Sequence, residues 1–281
     1  MKSIDKDVLA GYNAGAERGR LRTGIGLIEF ARTKELLLET LPPPPAVIYD
    51  IGGGYGEYAY FLASHGYEVH LFDLAEGNIA LSETLKAEYP GVELCAAEVA
   101  DARSICRPDG SADAVLLMGP LYSIPEREER AAALREARRL LKPGGLLYTA
   151  AITPYATMLW ALSVFGRDND LLKEDAFMEM VEHELATGEH IRPAPDRSAY
   201  RGIGRSHFHT AAALREELTE VGFGETTVHN VVGAAWIAPD LDALWTDDAA
   251  REALLKTVRL IDTREDLSGF STHLLAVSCK S

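Results

Sequence analysis

The sequence predicts an α/β protein whose mostly parallel sheet is flanked by helices. Three observations predict it. Residues 46–51 form a short apolar run that breaks into Gly52-Gly53-Gly54-Tyr55-Gly56, followed by an amphipathic segment carrying Tyr58, Phe61 and Leu62. That succession is a strand, a tight turn and a helix start, and the glycines let a ligand approach the backbone. Strand-like and helix-like patterns then alternate as far as residue 152, as a parallel sheet with crossover helices requires. Within that stretch Val69-His70-Leu71-Phe72-Asp73 reads as a second strand ending in an acid.

The elements follow in order. Residues 4–41 read as helical, with Ile25, Leu27, Ile28, Phe30, Leu36 and Leu37 at helical spacings. Pro42-Pro43-Pro44-Pro45 ends this stretch as a stiff extended spacer, so residues 1–45 are expected to form a helical arm that lids a cleft. Strands are predicted near 46–51, 67–73, 92–96, 112–118 and 145–152, and helices near 56–65, 76–88 and 125–141. Pro125 suits a first helical turn, and Ala133, Leu134, Ala137, Leu140 and Leu141 make an apolar stripe. Gly144-Gly145 is expected to terminate that region. The cofactor-binding core is therefore placed at 46–152. The alternation stops at residue 153: an apolar helical run over 157–165 and an amphipathic helix over 171–185 precede an aperiodic stretch over 187–209. The whole segment 153–209 is expected to be an insertion capping a substrate site. Thr210 reads as the N-cap of a helix over 211–221. A strand near 225–232, a helical stretch over 239–263 and a final strand over 270–279 return the chain to the sheet across 210–281.

Bulk properties narrow the function. Against 28 Lys and Arg stand 43 Asp and Glu, a formal charge of −15 over 281 residues. Phosphate neutralisation drives non-specific nucleic-acid binding, so no nucleic-acid partner is expected, and the balance favours a protein acting on a small molecule. No apolar stretch reaches 18 residues, and Met1-Lys2-Ser3-Ile4-Asp5-Lys6-Asp7 has no apolar core of signal-peptide type. Cys95, Cys106 and Cys279 are scattered without a C-x-x-C spacing. A reduced cytoplasmic protein is expected, with no membrane partner, disulfide framework or metal site.

The glycine turn selects its ligand by charge. A dinucleotide site has G-x-G-x-x-G/A, but Glu57 occupies the third glycine position and Asp50 lies below the turn. Two carboxylates there oppose a pyrophosphate. They suit a ligand that lacks phosphate and carries positive charge, and S-adenosylmethionine, with its sulfonium and ammonium groups, fits. Asp73, 19 residues after Gly54, is placed to accept the ribose hydroxyls of either this nucleoside or NAD.

Five segments together resemble the class I S-adenosylmethionine-dependent methyltransferases. They are Asp50-Ile51-Gly52-Gly53-Gly54-Tyr55-Gly56, Phe72-Asp73, Val99-Ala100-Asp101-Ala102-Arg103, residues 112–122 ending in Gly119-Pro120-Leu121-Tyr122, and Leu140-Leu141-Lys142-Pro143-Gly144-Gly145. Their order and spacing cover 46–152, a little over a third of the chain. The resemblance implies a seven-stranded Rossmann-like sheet. It also implies that Gly52, Gly53 and Gly54, above Asp50, face the methionine and ribose of the cofactor. Asp73, with Leu74 beside it, would take the ribose hydroxyls, Asp101 the adenine amino group, the Ala102 amide the ring, and Met118 the sulfonium side. From the arm, Tyr12 is a candidate to cover the cofactor, and Arg32 either pairs with its carboxylate or sits on a solvated helix face.

The acceptor side is read from fewer signals. Tyr122 either contacts the acceptor or braces its loop. Related sequences often carry a histidine after this tyrosine, but Ser123 stands here, which moves the candidate bases to His207 and His209. Their i,i+2 spacing also resembles a metal pair, but it lacks a placed carboxylate, and each equally suits a packed hinge residue. Arg192, Arg197, Arg201 and Arg205 either meet an anionic group on the acceptor or sit on a solvated loop, while Trp160, Trp236 and Trp245 suit either an acceptor pocket or the core. The implied reaction is in-line methyl transfer to an oxygen or nitrogen of a small molecule by a monomer or homodimer. An RNA or protein methyltransferase, an NAD-dependent oxidoreductase and a non-catalytic nucleoside-binding protein are the alternatives.

Overall fold

The computed structural model describes residues 6–281; Ile4 and Asp5, with which the expected helical arm begins, lie outside the described residues. The arm is broken where its glycines demand it. Gly15, Gly19 and Gly24 adopt φ values of 83°, 76° and 53°, which residues with a Cβ rarely take. The chain therefore folds as α1 (Lys6–Asn13), a single 3-10 turn (Arg20–Arg22) and α2 (Ile25–Thr40).

The alternation forecast for the core is present as β1 (Val47–Ile51), α3 (Glu57–Ser64), β2 (Glu68–Asp73), α4 (Glu76–Lys86), β3 (Ala96–Val99) and β4 (Ala112–Leu117). The short α5 (Pro120–Ser123), α6 (Arg127–Leu140) and β5 (Leu141–Ile152) follow. Next come α7 (Ala156–Val164), α8 (Asp175–Thr187) and a two-stranded ribbon of β6 (Glu189–His190) and β7 (Ser206–His207). The chain finishes with α9 (Ala211–Glu220), β8 (Thr226–His229), α10 (Leu241–Thr246), α11 (Asp248–Leu260) and β9 (His273–Cys279). The main sheet has seven strands in the order β3-β2-β1-β4-β5-β9-β8. All pairings from β3 to β5 are parallel, whereas β9 runs antiparallel to both β5 and β8. This is a Rossmann-like architecture.

Both faces of the sheet are covered, which explains why its strands read as continuous apolar runs. Side chains alternate along β4: Val115 and Leu117 pack with Leu134, Ala137 and Leu140 of α6 and Leu214 and Leu218 of α9. Ala114 and Leu116 face the opposite way, onto Leu36 and Leu37 of α2 and Ala59 and Leu62 of α3. Each fully buried leucine contributes about 2 kcal/mol. The strand order reverses between β1 and β4, so a crevice opens beyond their C-terminal ends.

Several boundaries differ from expectation for local reasons. β3 lies at 96–99 and not at 92–96; it is an edge strand with three exposed residues, so no burial period marks it. Gly144-Gly145 does not end the region. Gly144 (φ 76°) and Gly145 lie inside β5, where the pairing with β4 slips between Ala112 and Ala114. The expected helical stretch 239–263 divides at Asp247, whose carboxylate accepts from the Ala249 and Ala250 amides and starts α11 afresh. Thr210 caps α9 as its position suggests, accepting from the Ala213 amide at 3.2 Å. Among the described residues no helix is long and apolar enough to cross a membrane.

Candidate active site

The crevice is a cleft enclosing about 1220 Å³ of empty space, its open mouth included. Its floor is the glycine turn after β1. Gly52 and Gly54 have φ of 69° and 60°, and the Gly52 amide donates to the Phe72 carbonyl at 2.7 Å. A Cβ on Gly52 would come within 2.6 Å of the Pro120 ring, and one on Gly53 within 2.5 Å of the Asp50 carboxyl. Glycine is therefore required both for conformation and for room.

Two carboxylates flank this turn. Asp73, at the end of β2, accepts from the Gly54 amide at 2.9 Å, the Ala75 amide at 2.8 Å and Asn78 Nδ2 at 3.1 Å. Burial outweighs these three bonds and raises its pKa above the usual carboxylate value. Asp50 is 1% exposed, and neither of its oxygens has a hydrogen-bond partner. Burial, reinforced by the charge of Asp73, pushes its carboxyl up to about 7. A buried acid in this state is stabilised by a cation or donor supplied from the cleft. A glycine cradle with an idle carboxylate beneath it and an anchored one beside it fits a nucleoside that bears positive charge.

Residues 49–149 match the methyltransferase domain family. Over this stretch the chain is similar to methyltransferase domains. It is 30% identical over 108 residues to a ubiquinone/menaquinone biosynthesis C-methyltransferase of Acidiphilium cryptum, covering 38% of this chain and 42% of that protein. It is 33% identical over 109 residues to a malonyl-[acyl-carrier protein] O-methyltransferase of Methylococcus capsulatus, covering 38% of each. The chain thus spans about two fifths of the length of these curated relatives. A crystal structure of an S-adenosylmethionine-dependent methyltransferase from Methanosarcina mazei shares the fold with a TM-score of 0.56 at 22% identity, over 87% of this chain and 96% of that one.

The cleft is roofed by the N-terminal arm. Leu9, Tyr12, Glu17 and Arg20 line the cleft. The arm is latched to α3: Arg22 donates to both Glu57 oxygens, at 2.6 and 3.0 Å, and Tyr55 donates its hydroxyl to the same carboxylate at 2.7 Å. Glu57 therefore carries the latch, and its charge is answered by Arg22 before any ligand arrives. The Tyr12 hydroxyl lies 2.9 Å from Ser123 Oγ on the opposite lip, and burial together with Glu17 pushes its pKa up to about 12.

Most of the sequence-derived candidates meet in this cleft. Tyr12, Asp50, Gly52, Gly53, Gly54, Asp73, Leu74, Asp101, Ala102, Met118 and Tyr122 all line it. Asp101 is already engaged by Arg103, whose backbone amide and Nε both donate to Oδ1 at 2.9 Å. Burial would raise the Asp101 carboxyl, but this arginine outweighs it and holds the pKa below the usual value.

Other candidates lie elsewhere. Arg32 is buried against Glu35 at 2.8 Å and Asp262 at 3.0 Å, and it does not reach the cleft. His207 and His209 do not line it either. His209 is fully buried beside Glu217, and burial together with the charges of His209 and Arg130 pushes His207 down to about 3. No residue of 153–209 lines the cleft, so the cover over it comes from the arm. Arg192, Arg197, Arg201 and Arg205 are spent on Gly202 O, Glu179, Ser198 O and Glu189 respectively. Trp160 is 43% exposed, Trp236 donates to Phe270 O, and Trp245 lies under Arg251; none borders the cleft.

Arg20, Glu29 and His273 are among the cleft residues that escaped the sequence reading. Arg20 donates to both Glu29 oxygens, at 2.7 and 3.1 Å, and to Glu17 at 2.8 Å. Glu29 is held below the usual carboxylate range because Arg20, with His273, outweighs the effect of burial. His273 Nε2 lies 3.7 Å from Glu29, and burial keeps this histidine below its usual pKa, as the free base at neutral pH. Only topology brings His273 here. β9 is antiparallel to β5, pairing His273 with Ile152, so its first residue meets the C-terminal ends of the parallel strands.

Proposed function

We propose that this protein methylates an oxygen or nitrogen nucleophile of a small molecule, in the cytoplasm, with S-adenosylmethionine as donor. The observation that carries the reading is the glycine turn set between the unpaired, buried Asp50 and the amide-anchored Asp73. When bound, the cofactor supplies a methyl group already activated by its sulfonium. Asp73 accepts ribose hydroxyls, and Gly52 and Gly54, both at positive φ, present bare backbone to the ligand. Asp101, Ala102 and Leu74 border the adenine side, and Met118 closes the other. In the place first expected of Arg32, Arg20 is the cleft guanidinium that meets a carboxylate.

The arm, with Tyr12 above and Tyr122 on the lip, excludes water and aligns the reactants, which supplies much of the rate in such a displacement. His273 is the histidine that lines the cleft and serves as base for an acceptor hydroxyl or amine, its Nδ1 held 3.3 Å from Thr272 Oγ1. The curated relatives are described as a C-methyltransferase and an O-methyltransferase, so they favour small acceptors without agreeing on one. A cleft roofed by its own arm supports the same class.

Calorimetric titration tests the cofactor. S-adenosylmethionine and S-adenosylhomocysteine are expected to bind and NAD to give no heat. Asp73→Ala is expected to weaken both adenosyl ligands by about tenfold or more, since each bond to a charged acceptor contributes roughly 1.5–3 kcal/mol. Binding of NAD alone would overturn the reading.

A further inference from the structure

Outside the cleft, a second group of side chains converges behind the lip that carries Tyr122. The β6–β7 ribbon delivers His207, and the His209 amide donates to Ile152 O at 2.8 Å, fixing that residue to the end of β5. Thr210 then caps α9, and two turns into that helix Glu217 points back at the histidines. The imidazole rings of His207 and His209 stand edge to face with centroids 4.6 Å apart. One ligand atom from each of His207, His209 and Glu217 lies within 4.8 Å of the others. His209 is fully buried, yet neither ring nitrogen has a hydrogen-bond partner; Nε2 stops 3.4 Å from Glu217 Oε2. Leaving a buried imidazole idle at both nitrogens is costly, and native cores avoid it unless something else fills the gap.

We propose that His207, His209 and Glu217 bind one divalent metal ion of the zinc class. Two imidazoles and one carboxylate make a mixed N/O donor set that suits zinc, whereas magnesium and calcium prefer all-oxygen sites. The sequence shows the histidine pair, and the fold adds the carboxylate that the pair lacks. Arg130, itself 2% exposed, orients that carboxylate by donating to Glu217 Oε1 at 2.6 Å and Oε2 at 3.1 Å, as outer-shell partners of ligating carboxylates do. Three protein ligands leave a fourth tetrahedral position, which water or hydroxide would complete.

Access is present. The His207 ring passes over Gly188, where a Cβ would come within 3.2 Å of Cε1, and His207 is only partly buried, giving the ion a route from solvent. The ion would staple three segments, the end of β5, β7 and α9, and so anchor the 153–209 segment to the core. The proposal stands independently of which cofactor or acceptor the cleft takes.

The test uses the full chain freed of metal by chelator and dialysis, then titrated with zinc chloride. About one zinc per chain is expected to bind, raising Tm, and cobalt(II) is expected to give the visible bands of a low-coordinate N/O site. His207→Ala, at a partly exposed position, is expected to keep the wild-type circular dichroism while weakening zinc at least about tenfold. His209→Ala is the second variant. Zinc uptake that is absent, or that both variants retain unchanged, would overturn the proposal.

Discussion

Asp50 lies near the end of β1 as a buried carboxyl with no partner, and its chemistry sets a pH dependence. Its pKa rises from the ordinary 3.8 to about 7 because burial, and then Asp73, penalise the charged form. Between those values the folded chain holds a proton that the unfolded chain has released. This group's effect on stability therefore grows less favourable as pH rises through that window. A cationic ligand favours the ionised form, so its binding releases the proton below pH 7. S-adenosylmethionine affinity is expected to rise with pH up to about 7 and then level, by at most about tenfold per unit. Asp50→Asn is expected to flatten that profile and lower its plateau, as read by calorimetry in buffers of different ionisation enthalpy. An unchanged profile would show that Asp50 does not face the positive charge. That Asp50, Asp73 and the glycines share the cleft was legible in the sequence, because a strand, a tight turn and a helix start keep their residues in a local order. His273 was not, because only the pairing of β9 with β5 brings it to the site. Arg32 misled for the converse reason: an arginine on a helix of the arm has several faces, and Asp262, far along the chain, claims this one.

Among the elements, the arm depends on few contacts that the sequence advertises. Its latch joins Arg22, whose side chain is 41% exposed, to Glu57, whose side chain is 5% exposed. With Arg22 removed, a buried carboxylate keeps the Tyr55 hydroxyl but loses a bidentate partner. Solvent screening at the exposed end limits the loss to about 1 kcal/mol, roughly a fivefold rise in arm opening. Arg22→Ala is therefore expected to speed amide exchange over residues 9–24 about fivefold and leave β1 and β4 unchanged. Equal rates in the two proteins would place the latch elsewhere. Elements buried on both faces, such as β1 and β4, were readable to within about a residue because burial dictates composition. β3 was displaced because an edge strand imposes no such demand. The ribbon β6–β7 was missed altogether, since two-residue strands carry no period.

At the scale of the whole molecule, charge selects the ligand. The formal charge is −15, and among the described residues the cleft is lined by Glu17, Glu29, Asp50, Glu57, Asp73 and Asp101 against the guanidinium of Arg20. Four of these carboxylates are answered by arginines: Glu17 and Glu29 by Arg20, Glu57 by Arg22, and Asp101 by Arg103. Asp50 and Asp73 have no arginine partner among the described residues, and they lie within the negative field of the rest of the chain. That field favours a sulfonium over a thioether and opposes a pyrophosphate. It is also screened over about 10 Å at 0.1 M salt. Raising ionic strength from about 0.01 to 0.3 M is thus expected to weaken S-adenosylmethionine roughly threefold more than S-adenosylhomocysteine, whose sulfur is uncharged. Parallel salt titrations of the two ligands measure that ratio directly. If both weaken equally, the cleft does not sense the methyl-bearing charge, and discrimination between donor and product must come from contact with the methyl group itself.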